Sequence, residues 1–446
     1  MAIRFGTDGV RGLANDEITV EAAVSIGRAT VRTTGARRVV VGRDTRRSGP
    51  MLEAAVVAGI CAEGADAVVL GVVPTPAVAS TCARDDVPGV MISASHNPYE
   101  DNGLKVFAAG GRKLDDAAQD RLEAEIGALL AGTGHGGPTG AAVGVPASDP
   151  GAVEHYVQAV TAATEGRRLD GLRVVVDCAN GANSDVAPDA LARLGAQVHA
   201  ICTEPDGTNI NAGCGSTDPS ALSRTVVDTG ADLGIAFDGD ADRMVAVDHH
   251  GAVVDGDQVI ALCATGLARR GRLSGGAVVV TVMSNLGFHR AMAREGIEVV
   301  TTPVGDRHVL AALEEGGYSL GGEQSGHIIF SDLATTGDGL LSAVVLLDLV
   351  QRAGRPLADL AAEAMTRLPQ VLLNVAVATP LPDVAERLAH EIAAVESELG
   401  GDGRVLLRPS GTEPVVRVMA EAPTEERATA AAERLAAAVG ALAAAG

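Results

Sequence analysis

Positive charge is scarce in this chain, and lysine scarcest of all: 35 Lys and Arg stand against 57 Asp and Glu, net charge −22, with Lys105 and Lys113 the only two lysines in 446 residues. Nucleic acids and anionic membranes are bound through clustered cations, so this balance disfavours both as partners. An anionic substrate would have to meet locally placed arginine, and either lysine is conspicuous. Cysteine pairing is missing as well. The six cysteines, at 61, 82, 178, 202, 214 and 263, form no C-x-x-C pair and no secretory spacing, and Met1-Ala2-Ile3-Arg4-Phe5 offers no apolar signal core, so a reducing cytoplasm is the expected compartment. Gly, Asp and Arg interrupt every apolar run before the ~18 residues that a membrane span requires.

What is present is a repeated organisation. Arg38-Val39-Val40-Val41-Gly42-Arg43-Asp44, Arg173-Val174-Val175-Val176-Asp177-Cys178 and Ala277-Val278-Val279-Val280-Thr281-Val282 are short β-branched strands that open into polar loops. An Ala-rich helical stretch and a second strand follow each: Ala67 to Gly71, Ala196 to Ala200, and Glu298 to Thr302. A third strand then ends in a polar, glycine-bearing loop, at Ser93 to Pro98, Asp238 to Arg243 and Gly322 to His327. Alternating strands and helices predict parallel sheets covered on both faces, with ligands held beyond the carboxyl ends of the strands. From about Leu368 the pattern changes to a smaller α+β unit: a strand near 371–377, a helix from Pro382 to about Leu399, strands around Leu406 and Val416, and a final Ala-rich helix. Length alone calls for three or four domains.

The loop Asp238-Gly239-Asp240-Ala241-Asp242-Arg243 carries the strongest chemical signal. Alternate residues of extended backbone point the same way, so three carboxylates converge on one point, and hard oxygen ligands suit Mg²⁺. A calcium EF-hand would need Gly and Glu where Arg243 and His249 stand, which excludes it.

Ile92-Ser93-Ala94-Ser95-His96-Asn97-Pro98 places two hydroxyls and an imidazole after a buried strand, with Asn-Pro forcing a turn. Ser95 is a candidate nucleophile or, carried as a phosphoserine, a phosphoryl donor; a turn-capping serine is the structural alternative. G-x-S-x-G is absent, so a hydrolase elbow is not supported. Lys105 follows closely, as base or charge stabiliser, and a nearby metal and arginines would favour its neutral form. Gly321-Gly322-Glu323-Gln324-Ser325-Gly326-His327 offers a carboxylate, a hydroxyl and an imidazole spaced to read vicinal sugar hydroxyls. Arg408-Pro409-Ser410-Gly411-Thr412-Glu413-Pro414-Val415-Val416-Arg417 has the parts of a phosphate cradle: guanidinium forks, hydroxyls and a flexible glycine.

Taken together these four loops resemble the α-D-phosphohexomutase superfamily over essentially the whole chain, with D-G-D-x-D-R, G-E-x-S-G-H and R-P-S-x-T-E-P all matched. The resemblance implies three similar mixed α/β domains around a central cleft plus a C-terminal α+β domain. Domain bounds are expected at 1–152 for the phosphoserine domain, 153–255 for the metal-binding domain, 256–368 for the sugar-binding domain and 369–446 for the phosphate-binding domain. Phe5 to Gly12, Asn209 to Thr217 and Val304-Gly305-Asp306-Arg307 are similar to the superfamily's glucosamine-phosphate branch.

In that branch a phosphorylated Ser95 would pass its phosphoryl group to glucosamine 6-phosphate, and the sugar bisphosphate formed would return its other phosphoryl group to leave glucosamine 1-phosphate, a cell-wall amino-sugar precursor. The implied metal ligands are Asp238, Asp240, Asp242 and the Ser95 phosphoryl group, holding Mg²⁺. Arg11 and Lys105 would flank the transferring group, and Lys105 or His327 would handle the proton. Arg243, Asp306, Arg307, Glu323 and Ser325 would contact the sugar phosphate, while Arg408, Ser410, Gly411, Thr412 and Arg417 grip the phosphate that is not reacting. The implied partner is a small hexosamine phosphate, with the enzyme a monomer or homodimer and no nucleic acid or membrane bound. Rival readings are a hexomutase of glucose or mannose phosphates, an aspartyl-phosphate phosphatase using Asp238, and a sugar-phosphate sensor.

Overall fold

In the computed structural model the described residues are 3–6, 8–134, 136–379, 381–409 and 414–445. Ser410, Gly411 and Thr412, expected at the phosphate cradle, lie outside them. The chain forms two compact units, residues 1–283 with 297–364, and residues 284–296 with 365–446.

Three sheets build the first unit. In spatial order the first runs Val10–Leu13, Asp101–Phe107, Gly89–Ile92, Arg38–Arg43, Asp66–Val72 and Pro146–Ser148. The second runs Val253–Val254, Met244–Asp248, Leu233–Phe237, Arg173–Asp177 and Gln197–Ile201, and the third Glu298–Thr302, Ala277–Thr281, Leu320–Gly322 and Ile328–Phe330. Their central strands are fully buried, as expected of strands covered on both faces: every residue of Leu233–Phe237 and Ala277–Thr281 is buried.

Each sheet departs from the all-parallel expectation in the same way. The third parallel strand, Gly89–Ile92, Leu233–Phe237 or Leu320–Gly322, turns straight back into an antiparallel neighbour, Asp101–Phe107, Met244–Asp248 or Ile328–Phe330. A short loop can join only antiparallel neighbours, whereas a parallel crossover needs a dozen residues or more. The three polar loops are therefore hairpin tips at equivalent places in three mixed sheets.

Helices cover these sheets with little side-chain bulk. The helix Val20–Thr34 starts at Thr19, whose hydroxyl accepts from Ala22 N, and stops at Gly35 in a left-handed conformation. It packs on Gly49–Ala62 at glycine-backbone distance: a Cβ on Gly27 would stand 2.4 Å from Val56 O, and one on Gly59 2.2 Å from Val24 O. Alanine at either position would force the two helices apart.

The second unit is an antiparallel sheet ordered Gln370–Ala376, Val415–Glu421, Arg404–Pro409 and covered by the helices Ala389–Leu399 and Glu425–Ala445. The helix expected from Pro382 is interrupted, with Val384–Arg387 ending before Ala389. Residues 284–296 join this unit through Glu421, which accepts from Leu286 N at 2.8 Å and Arg404 Nε at 2.8 Å.

Candidate active site

The serine loop is held by a buried cation rather than by its own turn. Arg46 is fully buried, salt-bridged to Asp44 at 2.9 Å, and its guanidinium donates to the carbonyls of Ser95 at 2.9 Å, Asn97 at 2.8 Å and Asp101 at 3.0 Å, and to that of Pro98. Ser93 Oγ donates to Asp44 Oδ2 at 2.6 Å and accepts from Ser95 N at 2.9 Å. Ser95 itself has φ 53°, a left-handed conformation that a non-glycine residue keeps only when its surroundings dictate it. Asn211 adds a second clamp, donating to Ser95 O at 2.9 Å. A turn-capping role for Ser95 does not fit, because its hydroxyl faces the acidic loop.

Ser95 Oγ donates to Asp238 Oδ2 at 2.5 Å and lies 3.3 Å from His96 Nδ1. The two loops press together so closely that a Cβ on Gly239 would sit 2.6 Å from Ser95 O. Asp238, Asp240 and Asp242 each bring a carboxylate oxygen within 4.8 Å of the others, and all three are buried. Asp240 Oδ1 and Asp242 Oδ1 are buried with no hydrogen-bond partner among the described residues, although each acid's other oxygen is bonded. Orphaned oxygens on converging hard ligands are what a divalent cation would satisfy, so these residues fit Mg²⁺.

Electrostatics divide the three acids. Burial, together with the charges of Asp242 and Asp240, pushes the Asp238 carboxyl up to about 8. Asp240 and Asp242 stay ionised: burial opposes their charge, but Lys105 overcomes it for both, with His327 and Arg243 helping at Asp242. Thr75 Oγ1 donates to Asp240 Oδ2 at 2.6 Å.

Lys105 lies 2.7 Å from Asp240 Oδ2, 3.0 Å from Asp242 Oδ2 and 2.9 Å from Asp8 Oδ2. In the metal-free site the charged form is favoured. Burial works against the charge on Lys105, but the Asp240 and Asp242 carboxylates outweigh it and raise its pKa above the ordinary value. The second lysine arrives at the same place: Lys113 Nζ lies 2.6 Å from Asp8 Oδ1 and is also paired with Asp306. Asp8 thereby joins Arg11, Lys105 and Lys113. Asp8 and Asn211 lie in stretches marked only as similar to the glucosamine-phosphate branch, Lys113 stands out only by the rarity of lysine, and Arg46 and Thr75 carry no sequence signal.

The third loop enters through His327, which is 2% exposed. Its Nδ1 lies 3.7 Å from Asp242 Oδ1 and its Nε2 3.5 Å from Asp306 Oδ2. Burial opposes protonation, yet Asp242 and Asp306 raise the His327 pKa, while Lys113 helps hold Asp306 down at about 2 against its burial. Arg243 is 3.8 Å from Asp242, and Glu323 Oε1 accepts from Gly305 N at 3.1 Å. Arg307 reaches Asp116 at 2.6 Å, and Ser325 is exposed at the loop tip. In the second unit Arg408 and Arg417 stand directly opposite one another on adjacent strands.

Four consecutive segments match the phosphoglucomutase/phosphomannomutase α/β/α domains I, II and III and the C-terminal domain, at residues 2–131, 154–251, 255–368 and 372–438. The chain belongs to the phosphoglucomutase/phosphomannomutase family. Among curated members of this family it is 55% identical to the phosphoglucosamine mutase of Frankia alni, over 98% of this chain and 97% of that one. It is 53% identical to the phosphoglucosamine mutase of Desulforudis audaxviator, with the same coverage. Its fold is similar to a phosphoglucomutase/phosphomannomutase family protein of Burkholderia thailandensis, TM-score 0.81 and 26% identity over 98% and 97% of the two chains. The fold alone also resembles the N-acetylphosphoglucosamine mutase of Aspergillus fumigatus, solved with GlcNAc-6P and magnesium, TM-score 0.71 and 20% identity over 98% and 96%. This family member is an enzyme of the phosphohexomutase class, and no helix among its described residues is long and apolar enough to cross a membrane.

Proposed function

We infer that the chain is a phosphoglucosamine mutase that interconverts glucosamine 6-phosphate and glucosamine 1-phosphate and so supplies UDP-N-acetylglucosamine synthesis. The observation that carries the reading is the buried Ser95 hydroxyl bonded at 2.5 Å to Asp238 beside two ionised aspartates and Lys105. As a phosphoserine, Ser95 transfers its phosphoryl group to O1 of glucosamine 6-phosphate: the Oγ–P bond breaks and an O1–P bond forms. The 1,6-bisphosphate turns over, Ser95 Oγ takes the 6-phosphoryl group, and glucosamine 1-phosphate leaves. Mg²⁺, held by Asp238, Asp240, Asp242 and a Ser95 phosphoryl oxygen, would supply charge neutralisation at the transferring group.

The chain's own residues share out the remaining work. Lys105 and Arg11, both cationic, flank the phosphoryl group and stabilise the charge that spreads over its oxygens. Lys105 or His327, whose Nε2 has no hydrogen-bond partner among the described residues, handles the hydroxyl proton. Asp306, Arg307, Glu323, Ser325 and Arg243 read the sugar phosphate. Arg408 and Arg417, directly opposite one another on adjacent strands, are assigned with Ser410, Gly411 and Thr412 to the non-reacting phosphate. The four domains divide at 152, 255 and 368, and the enzyme works in the cytoplasm as a monomer or homodimer.

A phosphatase that attacks through Asp238 is disfavoured, because Ser95, whose hydroxyl is bonded to Asp238 at 2.5 Å, would have no task. The test compares kcat/KM for glucosamine 6-phosphate, glucose 1-phosphate and mannose 1-phosphate with Mg²⁺ and a matching bisphosphate primer. Preference for glucosamine 6-phosphate supports the reading. Equal or better rates with the other two would make this a broader hexomutase, and no activity on any of them would reopen the phosphatase.

A further inference from the structure

Away from the acidic loop, a second buried cluster joins Cys202, Cys214 and Asp177, whose side-chain sulfur and oxygen atoms lie within 4.8 Å of one another. Cys202 closes the strand Gln197–Ile201 in a left-handed conformation, φ 53°, and is half-buried. Cys214 is buried, 2% exposed, in the 209–217 loop. The carboxylate is already committed to the backbone, Oδ1 to Ala179 N at 2.9 Å and Oδ2 to Gly215 N at 2.9 Å, which argues against a metal and leaves the two thiols side by side beside it.

We propose that Cys202 and Cys214 are a reversible thiol–disulfide site that couples oxidation by a hydroperoxide to the serine loop. The Cys202 thiol gives up its proton and the thiolate attacks one oxygen of hydrogen peroxide; the O–O bond breaks, the departing hydroxide takes up that proton and leaves as water, and a sulfenic acid remains on Cys202. Cys214 then attacks that sulfur, the S–O bond breaks, and a second water leaves as the disulfide forms. Two thiols and one peroxide thus give one disulfide and two waters. Cys202 suits the attacking role. A hydrogen bond from Cys214 lowers its pKa, whereas burial raises those of Cys61, Cys82, Cys178 and Cys263.

The coupling is built into the same short loop. Three residues before Cys214, Asn211 donates to Ser95 O at 2.9 Å and Asn97 O at 3.2 Å; two residues after it, Ser216 N donates to Phe237 O at 2.8 Å, immediately before Asp238. A disulfide requires sulfurs ~2 Å apart, so closing it draws the 209–217 loop toward the end of the strand and moves both contacts. A displacement of about an ångström at a reacting group costs roughly a hundredfold in rate.

The experiment treats the whole protein with hydrogen peroxide in slight excess, then alkylates it, maps the peptides and assays it. A peptide joined through Cys202 and Cys214, separated again by dithiothreitol, is expected. Free thiols at both positions after treatment, or a bridge from Cys202 to Cys178, which directly follows the neighbouring strand Arg173–Asp177, would overturn the site. The activity arm rests on the mutase reading, while the cross-link does not, so the two can fail separately. Oxidised protein should lose roughly tenfold or more in kcat and recover it with dithiothreitol. Cys202→Ser should keep the basal rate and resist peroxide. An oxidised, cross-linked protein with full kcat would remove the coupling, and Cys202→Ser losing activity to peroxide as wild type does would place the sensitive group elsewhere.

Discussion

Lys105 Nζ lies 2.7 Å from Asp240 Oδ2 across 135 positions of sequence, and this pair sets the charge of the whole site. Two of the three aspartates stay ionised because a buried ammonium faces them. Lys105→Ala leaves their charge uncompensated and should destabilise the metal-free protein by roughly 3–5 kcal/mol, with Mg²⁺ restoring part of the loss. Thermal unfolding with and without Mg²⁺ checks this, and an unchanged melting temperature in the metal-free form would remove Lys105 from the electrostatic role.

Ser95→Ala deletes the phosphoryl acceptor and should lower turnover on the order of a thousandfold or more while substrate binding stays measurable. Single-turnover assays with a bisphosphate primer make the comparison. Wild-type rates in that variant would end the phosphoserine mechanism.

Mg²⁺ affinity should rise with pH. Asp238 carries a proton below about 8 in the metal-free, unphosphorylated site, and that proton must leave when the metal binds. Each pH unit below that value should therefore cost about tenfold in apparent affinity, with a plateau above it. Calorimetric titrations between about pH 6 and pH 9 give the slope, and a flat profile would contradict the proton assignment.

Arg46→Ala strips four carbonyls of the serine loop of their donor and leaves Asp44 buried alone, so a loss of roughly 3–5 kcal/mol is expected. Denaturant unfolding reads it directly. A stability within experimental error of wild type would mean that the loop holds its own shape.

Arg417→Ala should raise KM for the sugar phosphate more than it lowers kcat, because a grip on the non-reacting phosphate acts in the ground and transition states alike. The reverse split would move Arg417 out of the phosphate cradle.

Local chemistry is legible in the sequence. The alternation of Asp238, Asp240 and Asp242 after an apolar strand depends only on backbone geometry, and the β-branched runs at 39–41, 174–176 and 278–280 depend only on burial, so both could be read from neighbouring residues. The antiparallel direction of each sheet's return strand was not legible, because a strand's direction is fixed by the length of its connection, not by its composition.

What the sequence by itself determined was which residues could do chemistry and where along the chain they cluster. The tertiary structure decided their state. A nearby metal and arginines would favour a neutral Lys105, and in the metal-free site it is held charged because Asp8, Asp240 and Asp242 reach it from distant stretches. Lys113 and Arg46 have no motif to announce them, yet one bridges Asp8 to Asp306 and the other holds the serine loop by four carbonyls. Side-chain identity is local, but the field at a buried charge comes from every group the fold places within a few ångströms of it.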